Sequence, residues 1–140
     1  MNTYKEQFNK PEAIVHISAI AEKYRLSLVV LFGSQATGKT HKESDVDIAY
    51  LPGRPLSPEE EININYELTL VSRTDRVDTV NLRNAPGLLL KQIVDQGVIF
   101  YEKTGTEFAE LEIYAMRRYK EATPLFEIRR EKLDAFLKLA

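Results

Sequence analysis

The sequence predicts a layered α+β domain, one central sheet flanked by helices, and three observations predict it. Short apolar runs of strand length alternate with segments whose apolar residues recur at helical spacing. Proline and glycine fall at the junctions between them. The chain has 140 residues, 44% of them apolar, which is material for one core and little for a second. The expected organisation is therefore a single domain over 1–140, with a core over about 11–102 and a helical extension over about 105–140.

Each element has its own signal. Pro11 opens a helix in which Ile14, Ile17, Ala21 and Tyr24 repeat at helical spacing. Leu26 to Phe32 is a continuous apolar run and reads as a buried strand ending at Gly33. After a polar loop over 34–44, Asp45 to Leu51 reads as a second strand, with Asp45, Asp47 and Ala49 alternating against Val46, Ile48 and Tyr50. Pro52, Gly53 and Pro55 mark a turn. Ser57-Pro58-Glu59-Glu60 then combines a capping hydroxyl, a proline at the first helical position and a glutamate three residues after the cap. That helix is expected to run to about Ser72, with Ile64, Leu68 and Val71 on one face. Val77 to Leu82 is a third strand, Pro86 to Gln96 a helix stopped by Gly97, and Val98 to Tyr101 a fourth strand. A helix over 107–121 carries Phe108, Leu111 and Ala115 on one stripe, Pro124 is expected to interrupt it, and Leu125 to Leu139 closes the chain. The order of the strands is not written in this pattern.

Composition removes several function classes. There is no cysteine, so disulfides and thiolate metal sites are excluded, and two histidines, His16 and His41, do not make a zinc site by themselves. No apolar run approaches the roughly 20 residues of a membrane span, and the first ten residues lack the apolar middle of a secretory signal. A cytoplasmic protein is expected. Net charge is −2 with a pI near 5.8, against direct nucleic-acid binding, which rests on a basic surface. The clusters Arg117, Arg118, Lys120 and Arg129, Arg130, Lys132 read as solvated helix faces.

The chemistry concentrates in residues 31–51, which support two readings. Gly33, Gly38, Lys39 and Thr40 fit the letters of a phosphate-binding P-loop. That loop needs a helix starting at its lysine, and only His41 to Ser44 separate Thr40 from the next strand-like run, about one turn. The second reading is Gly33-Ser34, ten residues, then Asp45-Val46-Asp47. A glycine at a strand end lets backbone approach a phosphate, and the serine hydroxyl can donate to it. Two aspartates one residue apart on a strand point to the same side, their Cα atoms about 6.6 Å apart. Such carboxylates suit a pair of magnesium ions, which prefer hard oxygen ligands. Asp78 interrupts the β-branched run Val77–Leu82, where a charge is unfavourable without a partner.

Gly33-Ser34 with Asp45 and Asp47 resembles the G-S-x10-D-x-D motif of the DNA polymerase β-like nucleotidyltransferases, and the short chain is similar to their minimal (MNT) branch. The likeness covers about Leu28 to Tyr101, including Asp78 and the ending Gly97-Val98-Ile99-Phe100-Tyr101; the last forty residues carry no matching motif. The resemblance implies a mixed-sheet nucleotidyltransferase core with flanking helices and a helical C-terminal segment. It implies Asp45, Asp47 and Asp78 as catalytic metal ligands for two Mg2+ ions, and Gly33 and Ser34 at the phosphates of ATP. It also implies an antitoxin that transfers AMP to a hydroxyl, such as a tyrosine, of a HEPN-domain RNase toxin.

Other readings stand beside this one. The chain could be an idle antitoxin that blocks by binding alone, or it could move AMP to a small molecule such as an antibiotic. A thirty-residue tail is short for an acceptor domain of that kind. Ser34 could serve as a turn former and Asp78 as a strand-edge residue paired with Arg76. Lys39, His41 and Lys42 could steady a triphosphate or be ordinary loop charges. His16 reads as structural or solvated, and Tyr101, Tyr114 and Tyr119 as packing residues.

Overall fold

A strand buried on both faces has no need to alternate apolar with polar residues, and the run Leu26–Phe32 occupies that position. A computed structural model describes residues 11–33, 46–74 and 76–139 of the chain. In order these form α1 (Pro11–Tyr24), β1 (Leu26–Phe32), β2 (Val46–Pro52), α2 (Pro58–Ser72), β3 (Val77–Asn81), a 3-10 turn (Leu82–Asn84), α3 (Gly87–Gln96), β4 (Val98–Glu102) and α4 (Glu107–Leu139). Among the described residues the strands make one mixed sheet in the order β3-β2-β1-β4. β1 pairs antiparallel with β2 and β4, and β2 pairs parallel with β3. This is the α+β fold with a mixed sheet that the sequence predicts.

The sheet divides two cores. On one face Ile17, Ile20, Ala21 and Tyr24 of α1 and Ile64 and Leu68 of α2 pack on Val29, Leu31, Val46, Ile48 and Tyr50. On the other, Leu90 and Ile93 of α3 and Leu111 and Ala115 of α4 pack on Leu28, Val30, Phe32 and Ala49. Each fully buried aliphatic side chain here removes apolar surface worth about 1.5–3 kcal/mol from water. A register irregularity between Leu26 and Leu28 lets both residues be buried on opposite faces despite their even spacing.

Local chemistry accounts for the element ends. Glu60 N donates to Ser57 Oγ at 3.1 Å and Ser57 N donates to Glu60 Oε1 at 3.1 Å, the reciprocal capping box that the sequence predicts. Arg54 adds an ion pair to the Glu60 carboxylate, and this hydrogen bond, with that from the Ser57 backbone, pulls Glu60 down to about 2. Gly97 follows α3 in an extended conformation, its N–H donating to Ile93 O, and the position admits no side chain because an added β-carbon would lie 2.6 Å from Val30 Cγ1.

The structure departs from the sequence reading at several points. Ile14 is exposed, whereas Ile17, Ala21 and Tyr24 are buried as expected, with Ala13 and Ile20 completing the buried stripe of α1. Leu82 leaves the third strand for the 3-10 turn, which Asn81 caps by accepting from Arg83 N. Pro124 does not interrupt the C-terminal helix, because α4 is one helix of 33 residues. Proline withholds one N–H and crowds the carbonyl four residues back, a penalty of about 3 kcal/mol. That weakens a helix without ending it while the neighbouring turns keep their own hydrogen bonds.

Candidate active site

The end of β1 and the beginnings of β2 and β3 lie side by side, and the chemistry-bearing residues fall there. Phe32, next to Gly33, is opposite Asp47, and Asp47 is opposite Asp78. Residues in register on neighbouring strands share a face, with a strand spacing of about 4.8 Å. Val46, Ile48 and Val77 belong to the core under α1 and α2. Alternation therefore puts Asp47 and Asp78 on the opposite face, with Phe32 and Ala49. Asp47 is half-buried and Asp78 exposed.

Gly33 touches this pair directly. Its backbone has φ +76°, a left-handed conformation natural to glycine. A β-carbon there would collide with Asp47 Oδ2 and lie 3.3 Å from Asp47 Cγ. Backbone at the tip of β1 thus rests against the Asp47 carboxylate.

Both carboxylate strands are fastened from behind. Val46 N donates to Arg76 O at 2.8 Å, tying the start of β2 to the approach to β3. Asn65 of α2 donates its side-chain amide to Val77 O at 3.2 Å and to Thr79 Oγ1 at 3.1 Å, gripping β3 on both sides of Asp78. Asn65 is a positioning residue that sequence reasoning missed, since nothing in the repeat Ile62-Asn63-Ile64-Asn65 separates it from a solvated polar position.

Like charges opposed across two strands repel, so the Asp47–Asp78 arrangement suits a cation, and carboxylate oxygens are the donors magnesium prefers. Among the described residues no group of three acidic or histidine side chains is gathered. Asp45, the third expected ligand, and Ser34 both lie outside the described residues, as do Lys39, His41 and Lys42. The alternative P-loop letters Gly38, Lys39 and Thr40 likewise lie outside the described residues, and β2 is described from Val46. The remaining candidates are elsewhere. His16 is exposed on α1, on the far side of the sheet. Tyr101 packs against the core, Tyr119 sits under the Lys91 ammonium at 5.4 Å, and Tyr114 is exposed. Among the described residues no helix is long and apolar enough to cross a membrane.

A family model described as polymerase beta, nucleotidyltransferase matches residues 16–106. A protein adenylyltransferase MntA of Shewanella oneidensis is 38% identical over 73 residues, which are 52% of this chain and 52% of that one. The match thus spans about half the length of that relative. The protein adenylyltransferase MntA of Aphanizomenon flos-aquae is 27% identical over 122 residues, 80% of this chain and 81% of that one. A chain of a toxin–antitoxin crystal structure with AMP-PNP is similar with a TM-score of 0.68 and 26% identity, covering 89% of this chain and 98% of that one.

Proposed function

The chain belongs to the polymerase beta nucleotidyltransferase family, and from that premise we propose that it is an antitoxin that transfers AMP from ATP to a hydroxyl of its partner toxin. The observation that carries this reading is the in-register pair Asp47 and Asp78 beside the left-handed Gly33. Its similarity to two protein adenylyltransferases, and to a toxin–antitoxin structure holding an ATP analogue, supports the choice of nucleotide and acceptor. The partner expected from the sequence resemblance is a HEPN-domain toxin, and the acceptor a tyrosine hydroxyl.

In this reading the tip of β1, Gly33 and Ser34, receives the triphosphate against backbone amides, where a side chain at 33 would stand in the way. Asp45, Asp47 and Asp78 would hold two Mg2+ ions, which would neutralise charge on the triphosphate and lower the pKa of the acceptor hydroxyl. Asp78, exposed on an outermost described strand, faces the acceptor. The acceptor oxygen attacks the α-phosphorus, its proton passes to the Asp78 carboxylate, and the bond from the α-phosphorus to the bridging oxygen breaks to release pyrophosphate. Positioning and charge complementarity provide most of the rate.

The test is to mix the chain with its partner toxin, Mg2+ and ATP labelled at the α-phosphate, and follow label on the toxin. Asp47→Asn is expected to remove transfer, with circular dichroism and thermal midpoint nearly unchanged because the side chain keeps its shape. Transfer at the original rate by that variant would falsify the assignment of Asp47. Toxin neutralised without any label would show an antitoxin that acts by binding alone.

A further inference from the structure

β3 lies at the margin of the described sheet, and a marginal strand has a flank of backbone groups that no neighbouring strand satisfies. Val46 N donates to Arg76 O at 2.8 Å, so the carbonyl of residue 76 faces β2. Carbonyls alternate in direction along a paired strand, and that of Val77 therefore points to the outer flank. There Asn65 of α2 meets it. Its side-chain amide directs one N–H to Val77 O at 3.2 Å and the other to Thr79 Oγ1 at 3.1 Å. A carbonyl oxygen only accepts, so the atom facing Val77 is the amide nitrogen.

One helical turn earlier, Glu61 accepts from Asn81 Nδ2 at 2.8 Å, and Asn81 Oδ1 accepts from Arg83 N at 3.0 Å. Residues four apart lie on the same side of a helix, so Glu61 and Asn65 present one polar edge of α2 to β3. α2 is itself tied to α1. Glu67 accepts from the Tyr24 hydroxyl and pairs with Lys23 at 3.2 Å, and Ile64 and Leu68 are fully buried. By alternation Val77, Thr79 and Asn81 share the side of β3 toward α2, and Asp78 stands between the first two on the reverse. The strand is gripped at residues 77, 79 and 81 by an anchored helix, and Asp78 is bracketed by the grips.

We propose that Asn65, acting through Val77 and Thr79, sets the position of Asp78 relative to Asp47 and so controls the chemical step of AMP transfer without contributing to ATP binding; the Glu61–Asn81 pair secures the far end of the strand. This rests on the transferase reading, in which Asp78 takes the proton of the acceptor hydroxyl. It adds a division of labour within the site. Gly33 at the tip of β1 and Asp47 in β2 belong to two strands paired directly with each other, and the polar edge of α2 bonds to neither residue. Asp78 is the assigned residue on the marginal strand. Loosening β3 therefore leaves ATP bound and slows attack on it, since a misplacement of about 1 Å can lower a rate by about a hundredfold. A tie that served the fold alone would change stability and leave kcat of the folded chain as it was.

Two variants test this. Asn65→Leu removes both bonds and keeps a good helix former; Thr79→Val removes one of them and keeps a side chain suited to a strand. Label transfer from ATP to the partner toxin is measured beside ATP affinity by calorimetry and hydrogen exchange at the backbone amides of residues 77–80. Asn65→Leu should lower kcat at least about tenfold while ATP affinity stays within about twofold of native. Exchange at 77–80 should quicken while that at 48–50 in β2 holds. Thr79→Val should cause a smaller loss, and none further when added to Asn65→Leu, because its effect passes through the same amide. An unchanged kcat in a folded Asn65→Leu chain would overturn the proposal, as would ATP affinity falling in step with kcat, unaltered exchange at 77–80, or two losses that simply add. If Asn65→Leu does not fold, Thr79→Val alone carries the comparison of kcat with affinity. A native chain that transfers no label overturns the transferase reading and this proposal together, whereas native transfer with an unaltered Asn65→Leu rate overturns this proposal alone.

Discussion

Gly33 is where backbone freedom and chemistry coincide. Its positive φ and its contact with the Asp47 carboxylate both exclude a side chain. Gly33→Ala is expected to lower stability by about 1–3 kcal/mol, measured by urea denaturation. AMP transfer should fall by more than the stability loss explains, since the added methyl displaces Asp47. Normal transfer by a folded Gly33→Ala protein would remove this glycine from the site. The Gly-Ser and Asp-x-Asp spacing was legible in the sequence because it depends on strand periodicity and a bend. That Asp78 lies with Asp47 was expected only through the family resemblance, because their facing depends on β3 lying beside β2, and strand order leaves no mark on periodicity. Asn65 stayed hidden for a related reason: a helix polar residue that hydrogen-bonds a distant strand reads like any solvated amide.

At the level of single elements, α2 shows sequence and structure in closest agreement. Ser57, Pro58 and Glu60 specify its start, and the hydrogen bonds are those the pattern demands. Its pH response follows. The folded Glu60 carboxyl lies at about 2 against an ordinary 4.5, so its charged form is favoured by folding. That contribution is complete above pH 4.5 and is lost as pH falls from there through about 2. The thermal midpoint should therefore decline over that acid window more steeply in the native chain than in Glu60→Gln. The difference should shrink in high salt because the Glu60–Arg54 pair is exposed to solvent; identical acid profiles would show that the cap contributes nothing. α4 was the element read least well. Pro124 is a strong local signal for a break, yet α4 runs through it as one helix from Glu107 to Leu139.

For the whole molecule, the two cores share one sheet, and β1 contributes to both. We propose that they unfold together as one domain. Leu31→Ala, at a fully buried position on the α1 and α2 side, is expected to cost about 2–5 kcal/mol. Urea transitions followed by far-ultraviolet dichroism and by tyrosine fluorescence should shift together; separate midpoints would mean that the faces are independent. The layered class was readable from the alternation of periods, whereas the division of β1 between faces required the register irregularity at Leu26–Leu28.

β3 is the outermost strand, bordered by β2 on one flank and by no other described strand on the other. In the proposed reading Asp78 stands at the margin of the sheet, where a hydroxyl borne on a folded partner would approach it. Choice of acceptor would then rest in part on whatever holds the two proteins together at a distance from the phosphate.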